Sequence, residues 1–570
     1  MKSILSTKGP RVTRASVVAA VLLVSMTLVA SPGAATPPSA TTVSVPPATT
    51  LVAPAIPGVA SLPFTGVVAA SANPSPTMGS LTVTPNSGVE GVPFTIAGSG
   101  LAANTSVELT WSTANVSWAV DAEPNTVNYL GRTQTNFNVV LATVTTNSAG
   151  GFSVSENAPV DFGGTHDIYA VVNGVEVDHG GFELFRTLTV RPRSGPIGTP
   201  ITITYTGIGA SLYTGGAALL WDNRYTGEMM ANWTRGTATV TIRAAGPIGP
   251  HVIQVGDAIG QLYMNIIQSP VPYANGSSAI FTTTRGHLNL APSIVWPDKV
   301  TPTLSEYTTL ESVGVDPSSH AVATLSSTSG AVNTKVNVSV TGLPSSGTDQ
   351  LVWSTVVGSR VNCPTASCWA YQSVPLGSAS VTNGSLQSLV TIPNGLGGWH
   401  VVQVLNASGA IEAQTPFYVK ESLIPFYNRA GKLVSQGIAT ANDASTPAAL
   451  AAGQSGVGTY TFKEGQEFTI NLDGVGWTQL DNTLAVDYDN SYIGYGCGFN
   501  SNGYTVIHLY ATGGPGIHII DLYPQLYTLQ PSFPNTPYGI APVLTYARDF
   551  PGLAMGYQVP SFRFAINIVK

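Results

Sequence analysis

The chain has 570 residues, of which only 9% are charged, and it contains 60 glycines and 41 prolines. It is too long for one ordinary domain, and too rich in turn-forming residues for long helices. The formal net charge of −7 is small for this length, which argues against a nucleic-acid-binding protein because such proteins carry a basic stripe. The composition is typical of many short strands joined by turns.

The N-terminal segment has the form of a secretory signal. Basic residues between Lys2 and Arg14 precede an apolar stretch at 15–30, and small residues follow it. Residues 1–35 are therefore predicted to be a signal peptide, and the mature chain to be secreted, without a transmembrane segment. A retained membrane anchor is the alternative, although the apolar stretch is short for a spanning helix. Residues 36–78 are rich in Pro, Ala and Thr, which predicts an exposed linker.

Internal repeats dominate the rest of the chain. Residues 81–100 align without gaps on 188–207, a third copy lies at 323–342, and a shorter fourth lies at 464–470. Each copy predicts a strand, a glycine turn and a second alternating strand, followed by an apolar strand that ends in an aromatic residue. The four aromatic residues are Trp111, Trp221, Trp353 and Tyr488.

A second motif, Gly-x-His followed by an alternating strand, also occurs four times. The four histidines are His166, His251, His400 and His518. The histidine follows the aromatic residue by 55 and 47 residues in the first and third units, but by 30 residues in both the second and the fourth. The order is therefore A-B-A-B, which indicates the duplication of a two-domain module.

The predicted fold is all-β, with four tandem immunoglobulin-like β-sandwich domains after the signal peptide and linker. The predicted domains are A1 (79–186), B1 (187–286), A2 (322–420) and B2 (456–570), with linkers at 287–321 and 421–455. The SGxxGxP motif at 87–93 and 194–200 and the GxHxI strand resemble secreted bacterial Ig-like repeats of the IPT/TIG kind, over roughly 79–570. The third unit departs from this motif at Asn333 and Lys335. The resemblance implies the fold, and it is compatible with adhesin stalks, spacers and surface-layer units.

The recurrence of the histidine at one position favours an architectural role, with the imidazole capping backbone groups where a strand begins. The alternative is a set of metal ligands. That alternative would require separate sandwiches to converge on one site.

The B units share a second pattern directly after the aromatic residue, WDNRYTG at 221–227 and YDNSYIG at 488–494. Asp and Asn there favour a strand-end turn. The alternative is a ligand site, with Asp487, Asp489 and Asn490 offering oxygens to Ca²⁺, or with the tyrosines stacking on sugars. The candidate ligand-binding residues are Asp222, Asn223, Tyr225, Asp489, Asn490 and Tyr492. Apart from this calcium alternative, no metal and no cofactor are predicted.

Three cysteines lie in the exported part of the chain. Cys363 and Cys368 are close enough to form a small disulfide loop in an oxidising compartment. Cys497 is left over, as a buried free thiol or an intermolecular link.

No catalytic template is found in the sequence: there is no GxSxG, no HExxH and no phosphate-binding loop. The sequence therefore predicts a non-enzymatic cell-envelope or extracellular structural or adhesion protein, built as a rod of Ig-like repeats. Its predicted partners are envelope components, other copies of itself, or surface glycans, and not nucleic acid. The alternative is a secreted carbohydrate-binding protein with paired sites in B1 and B2.

Overall fold

The structure is a computed structural model. The described residues are 49–51, 66–123, 126–211, 215–258, 262, 264, 277–286, 315–344, 346–359, 368–423, 439–440, 460–476, 483–498, 502–530, 533–545, 549 and 562–570. Within them the chain forms β-strands and no helix, so the predicted all-β class is confirmed. Among these residues no helical segment offers the length and hydrophobicity needed to cross a bilayer.

A1 and the segment before it form two sheets. The strands are β1 (Thr49–Leu51), β2 (Asn73–Ser80), β3 (Thr82–Thr84), β4 (Ser87–Gly88), β5 (Pro93–Gly98), β6 (Ser106–Glu123), β7 (Thr126–Thr145), β8 (Phe152–Asn157), β9 (Gly164–Val172) and β10 (Val175–Leu184). One sheet has the order β1-β6-β9-β10-β2, with β7 on β6 and β4 on β10, and the other has the order β3-β5-β8.

B1 is a smaller sandwich. Its strands are β11 (Thr187–Arg191), β12 (Ser194–Pro196), β13 (Pro200–Thr206), β14 (Gly216–Trp221), β15 (Arg224–Met230), β16 (Ala238–Arg243), β17 (Gly249–Asp257) and β18 (Ser277–Thr284). The sheets have the orders β11-β13-β16 and β12-β18-β17-β14-β15. Alternation sets the inward face, because Ile201, Ile203 and Tyr205 of β13 are buried while the threonines between them point outward.

A2 repeats the A1 pattern within one continuous sheet. Its strands are β19 (Val322–Leu325), β20 (Ser329–Ala331), β21 (Lys335–Thr341), β22 (Ser346–Ser359), β23 (Cys368–Thr382), β24 (Ser385–Thr391), β25 (Gly398–Leu405) and β26 (Ile411–Lys420). Their order is β19-β21-β24-β23-β22-β25-β26-β20.

B2 repeats the B1 pattern with two added strands, β28 (Ala439–Thr440) and β35 (Phe533–Pro542). Its strands are β27 (Ser422–Leu423), β28 (Ala439–Thr440), β29 (Tyr460–Lys463), β30 (Glu467–Asp473), β31 (Thr483–Tyr488), β32 (Ser491–Cys497), β33 (Thr505–Tyr510), β34 (Gly516–Gln530), β35 (Phe533–Pro542) and β36 (Phe562–Val569). The sheets have the orders β28-β27-β30-β33 and β29-β36-β34-β31-β32, with β35 paired to β34.

Three large hydrophobic cores lie among the described residues. A1 has a core around Trp111, and A2 has one around Trp353. The cores of B1 and B2 are continuous with each other, since one cluster of buried side chains runs from Ile201 in B1 to Ile566 in B2. B1 and B2 therefore pack together although A2 lies between them in the chain.

The structure differs from the sequence-based organisation in three respects. Residues 73–78, assigned to the linker, belong to β2, which pairs in parallel with β10. The linker at 421–455 supplies β27, whose Leu423 pairs with Leu472 of β30, so the first strand of B2 precedes its predicted start. B1 and B2 also share a core although A2 lies between them in the chain, a contact that was not predicted from the sequence. The signal peptide falls outside the described residues.

Candidate functional site

Each repeated histidine stacks on the aromatic residue of its own domain. The ring centroids lie 4.2 Å apart for His166 on Trp111, 4.9 Å for His251 on Trp221, 4.8 Å for His400 on Trp353 and 5.6 Å for His518 on Tyr488. The first three pairs are close to parallel and the fourth is tilted. The two repeated motifs thus meet inside each sandwich. This contact was not evident from the sequence, because the motifs are far apart along the chain.

The same histidines bond to the turn that precedes their strand. In every case Nε2 lies within hydrogen-bond distance of the carbonyl oxygen four residues earlier, at 2.6 Å from Phe162, 2.8 Å from Pro247, 2.8 Å from Leu396 and 2.9 Å from Gly514. The glycine of each motif has a positive φ, from 86° at Gly398 to 141° at Gly249 and Gly516. That conformation favours glycine and turns the chain back toward the ring.

In the B domains an aspartate completes the arrangement. Asp222 Oδ2 lies 2.6 Å from His251 Nδ1, and Asp222 Oδ1 accepts the backbone N–H of Val252 at 2.9 Å. Asp489 makes the same two contacts, with His518 at 2.6 Å and with the backbone N–H of Ile519 at 2.9 Å. Each aspartate therefore ties the end of one central strand to the start of its neighbour.

In A1 a serine stands where the B domains have aspartate. The carbonyl oxygen of Ser112 lies 2.7 Å from His166 Nδ1, and its hydroxyl accepts the backbone N–H of Asp167 at 2.7 Å. A2 also has serine, Ser354, after its aromatic residue. The sequence contained this signal, because the residue after the aromatic is Ser, Asp, Ser and Asp in chain order.

The pKa values of His400 in A2 and His518 in B2 are shifted in opposite directions. Complete burial lowers the pKa of His400 to about 4, despite hydrogen bonds to backbone carbonyls that favour the charged form. Burial also opposes protonation of His518, but the hydrogen bond and charge of Asp489 outweigh it and raise the pKa of His518 above its ordinary value. His400 is neutral at pH 7, whereas the hydrogen bond and charge of Asp489 favour the protonated form of His518.

The Asp–Asn pairs form tight hairpin turns. Asp222 and Asn223 have φ of 51° and 65°, and Asp489 and Asn490 have φ of 50° and 60°. Trp221 pairs with Arg224 across the first turn, and Tyr488 with Ser491 across the second, so each turn has two residues of positive φ. This is the geometry of a type I′ hairpin, which favours Asp and Asn.

The remaining candidate ligand residues meet at the contact between B1 and B2. The rings of Tyr225 and Tyr492 pack edge to face with centroids 6.3 Å apart, and Gln525 Nε2 donates to the Tyr492 hydroxyl at 2.9 Å. Asn490 is buried, whereas its counterpart Asn223 is exposed. The structure thus brings the two tyrosines together instead of leaving one at each of two surfaces, and a glycan site on either ring would need this contact to open.

The three calcium candidates of B2 lie in different environments. Asp489 is engaged with His518, and the Asn490 side chain donates to the carbonyl of Arg243 at 2.8 Å. Asp487 is buried on the other side of the strand, where burial and the charge of Asp521 raise its pKa well above the ordinary value. No group of three or more His, Cys, Asp or Glu side chains suited to a metal ion occurs among the described residues.

Charged groups lie buried beside Asp487. Arg563 donates to both carboxylate oxygens of Asp521, from Nε at 2.7 Å and from a terminal nitrogen at 3.0 Å. The same terminal nitrogen donates to the carbonyl of Thr241 in B1 at 3.1 Å. A buried ion pair needs all its hydrogen-bond partners, so part of this pair's stabilisation depends on B1.

A segment of B2, which we name the B2 arm, covers the edge of B1. It consists of Val543, Leu544, Thr545 and Asp549. Leu544 donates its N–H to the carbonyl of Glu228 at 2.9 Å, and the hydroxyl of Thr545 accepts the N–H of Met230 at 2.6 Å. Asp549 accepts the N–H groups of Asn232, at 2.5 Å, and of Trp233. Without the arm, the N–H groups of Met230, at the end of β15, and of Asn232 and Trp233 after it would face solvent. The arm therefore stabilises this edge.

A second joint links A1 to B1. Arg235 of B1 donates to the carboxylate of Asp161 and to the carbonyl of Ala114, both in A1. The guanidinium also lies 5.8 Å from the ring centroid of Phe137. An open groove of about 470 Å³ at this joint is lined by Gly66, Val68, Asn115, Thr135, Phe137 and Arg235. Because Arg235 forms an ion pair with Asp161, its positive charge is balanced within the protein.

Cys363 of the predicted disulfide lies outside the described residues, and Cys368 is the first residue of β23. Cys497, at the end of β32, is a partly buried free thiol.

Comparisons with known proteins show likeness only at the level of the fold. No family model matches the chain, and no curated protein matches its sequence. The crystal structure of invasin, a bacterial integrin-binding protein, is 12% identical and aligns over 80% of this chain and 78% of its own, with a TM-score of 0.17. The ICAM-5 D1–D4 ectodomain fragment is 11% identical over 82% of this chain and 99% of its own, with a TM-score of 0.16. A putative membrane anchored protein from Corynebacterium diphtheriae is 14% identical over 60% and 89%, with a TM-score of 0.15. Values this low carry no argument about function.

Proposed function

We propose that the chain is a secreted, non-enzymatic protein of the cell envelope or extracellular space, which acts through structural or adhesive contacts. The observation that carries the proposal is the use of its repeated polar residues. Histidine and aspartate are the residue types most often recruited for acid–base catalysis. Here they tie strand to strand at the same position in successive domains, with His251 bonded to Asp222 and His518 to Asp489.

Several other buried ionisable groups also support a structural role. Asp161 joins Arg235 across the A1–B1 contact, Arg563 bonds to B1, and Asp549 caps backbone groups of B1. Each of these groups contributes to a contact between domains. A protein that uses its buried charges to fix domains relative to each other is suited to presenting surfaces at defined spacings.

Fractionation of the native host tests the location and the processing of the protein. The chain, followed with an antibody, is expected in the envelope fraction or the medium, with an N-terminus that follows residue 30 or 35 when measured by mass spectrometry. Recovery from the cytoplasm with residues 1–30 retained would contradict the proposal.

A carbohydrate-binding function is the second candidate, and it is favoured by one observation. Tyr495 and Tyr504 lie exposed on B2, close to strands β32 and β33, and exposed tyrosine rings can stack on sugars. A glycan array probed with the wild type and with Tyr495→Ala tests this surface, while Tyr225→Ala and Tyr492→Ala test the paired-site alternative. Binding that is lost in Tyr495→Ala would support the second candidate, whereas absence of binding by the wild type would eliminate it.

A further inference from the structure

The two B domains carry surfaces at matching positions of the fold, although the side chains differ: Ile197, Thr241 and Ala245 of B1 correspond to Glu464, His508 and Thr512 of B2. His251 pairs with Phe281 in B1, and His518 pairs with Ile566 in B2, which fixes the alignment of strands β17 with β34 and β18 with β36. On this alignment Val252 matches Ile519, and Ile280 matches Ala565. Between the turn and the histidine the match has no gap, so Arg243 corresponds to Tyr510.

In B2 the outward side of β34 and β36 is buried against B1. We name this side the plug, formed by Asn490, Ile517, Ile519 and Ala565. Ile519 is 2% exposed and Ala565 5% exposed. Both pack in one cluster with Ala245 and Ile197 of B1.

The surface of B1 that receives the plug is named the socket, formed by Ile197, Thr241, Arg243 and Ala245. Polar contacts fix the register of the two surfaces. The Asn490 side chain donates to the carbonyl of Arg243 at 2.8 Å, and Arg563 donates to the carbonyl of Thr241 at 3.1 Å. Apolar packing framed by backbone hydrogen bonds is the usual form of a specific interface.

The contact uses different surfaces on its two partners, so it leaves one plug and one socket open. The plug of B1 is exposed: Val252 and Ile280 lie directly opposite each other on β17 and β18, at 37% and 55% exposure. Its turn residue Asn223 is exposed as well. The socket of B2 is open at Tyr510, which is 49% exposed, whereas the matching Arg243 in B1 is buried.

A contact between unlike surfaces does not close on itself, and it generates rings or open filaments when repeated between molecules. We propose that the B1 plug of one copy of this chain docks in the B2 socket of a second copy, which repeats between chains the contact seen within one chain. This inference rests on the proposed structural role for its location outside the cell. Sedimentation velocity tests the self-association and cell fractionation tests the location, so either can fail without the other.

The contact between chains is expected to be weaker than the internal one. The B2 arm lies in the stretch between the histidine strand and the last strand. From the histidine to its paired residue, this stretch spans 48 residues in B2 and 30 in B1. The covalent link also raises the effective concentration of the internal partners, and two separate chains lack that advantage. Association should therefore depend on concentration.

The test uses the full mature chain and two variants at exposed positions. Ile280→Lys places a charge on the open plug, and Tyr510→Glu places one on the open socket. Leu389→Lys is the control, because Leu389 is exposed on β24 of A2, away from both surfaces. Sedimentation velocity at increasing concentration measures the size of the species formed, and circular dichroism verifies that the variants remain folded.

The wild type and Leu389→Lys are expected to form species larger than dimers as concentration rises, whereas each of the other two variants alone stays monomeric. A 1:1 mixture of Ile280→Lys and Tyr510→Glu retains one intact plug and one intact socket, and it should form dimers that do not grow. A wild type that stays monomeric at about 0.5 mM, or a Tyr510→Glu variant that still associates alone, would overturn the proposal.

Discussion

At the scale of single residues, the four histidines perform one task with two kinds of partner. All four bond to the carbonyl four residues earlier and contact the core aromatic residue. In B1 and B2 a carboxylate takes the second ring nitrogen, at 2.6 Å in both domains. The residue after the aromatic, Ser or Asp, therefore determines whether a side-chain carboxylate contacts the second ring nitrogen.

His400 and His518 predict opposite responses to pH. The folded-state pKa of His400 is about 4, below its ordinary value, so its stabilising contribution is lost as the pH falls from about 6.5 toward 4. The folded-state pKa of His518 is raised, so its contribution is complete below the ordinary value and is lost as the pH rises through the raised one.

Hydrogen exchange of β25 and β34, compared between the wild type and the variants His400→Gln and His518→Gln at each pH, measures this difference. The advantage of the wild type over His400→Gln should shrink by about 3 kcal/mol between pH 7 and pH 4. The advantage over His518→Gln should shrink in the alkaline direction instead. Parallel pH profiles for the two variants would contradict the assignment of protonation states.

At the scale of elements, the two hairpin turns share one backbone but have different surroundings. Asn490 is inserted into B1, where it donates to the carbonyl of Arg243, while Asn223 is exposed. The turn conformation itself needs no neighbour, since Asp and Asn adopt positive φ readily. One sequence pattern therefore serves as a turn in both domains and as an interface contact in only one.

The glycine variants of the two turns form a matched pair. Glycine accepts the positive φ at both positions, so Asn223→Gly and Asn490→Gly perturb the backbone equally. Asn490→Gly also leaves a buried carbonyl without its donor, which should lower the free energy of unfolding by about 1–3 kcal/mol more than Asn223→Gly does. Equal effects in denaturant titrations would show that the Asn490 contact contributes nothing.

The strands and the residues that face the core could be predicted from the sequence, but the pairing of B1 with B2 could not. Alternation identifies the residues of a strand that face the sandwich core, such as Ile253 and Ile520. It says nothing about the outward residues, and Val252 and Ile519 are both apolar although only the second is buried. The type I′ turns could have been predicted from the sequence, because Asp-Asn between two strands favours a hairpin turn.

At the scale of the molecule, the two B domains form one packed unit. Their cores are continuous, and polar contacts cross between them at Asn490, Arg563 and the B2 arm. Because each B domain brings both a plug and a socket, the internal contact leaves one of each surface open. The proposed self-association would repeat this internal contact between the B1 plug of one chain and the B2 socket of another.

The B2 arm adds a pH response to this joint. Burial raises the pKa of Asp549 to about 7, although the two backbone donors of B1 favour its charged form. A carboxyl whose folded pKa exceeds its ordinary value stabilises the fold most when protonated, so this contribution is lost as the pH rises from about 4 through 7. The wild type should lose stability relative to Asp549→Asn over that range, in denaturant titrations of the full chain. An unchanged difference between pH 4 and pH 8 would contradict the burial of Asp549.

Hydrogen exchange of the full chain tests directly whether B1 packs against B2. The N–H groups of Met230, Asn232 and Trp233 in B1 donate to side chains of the B2 arm. Asp549→Ala should therefore speed exchange in the B1 peptide 228–236, more than 300 residues away in sequence. Asp316→Ala, in the loop that precedes the first strand of A2, serves as the control and should not. Unchanged exchange of that peptide in Asp549→Ala would show that B1 and B2 do not pack as described.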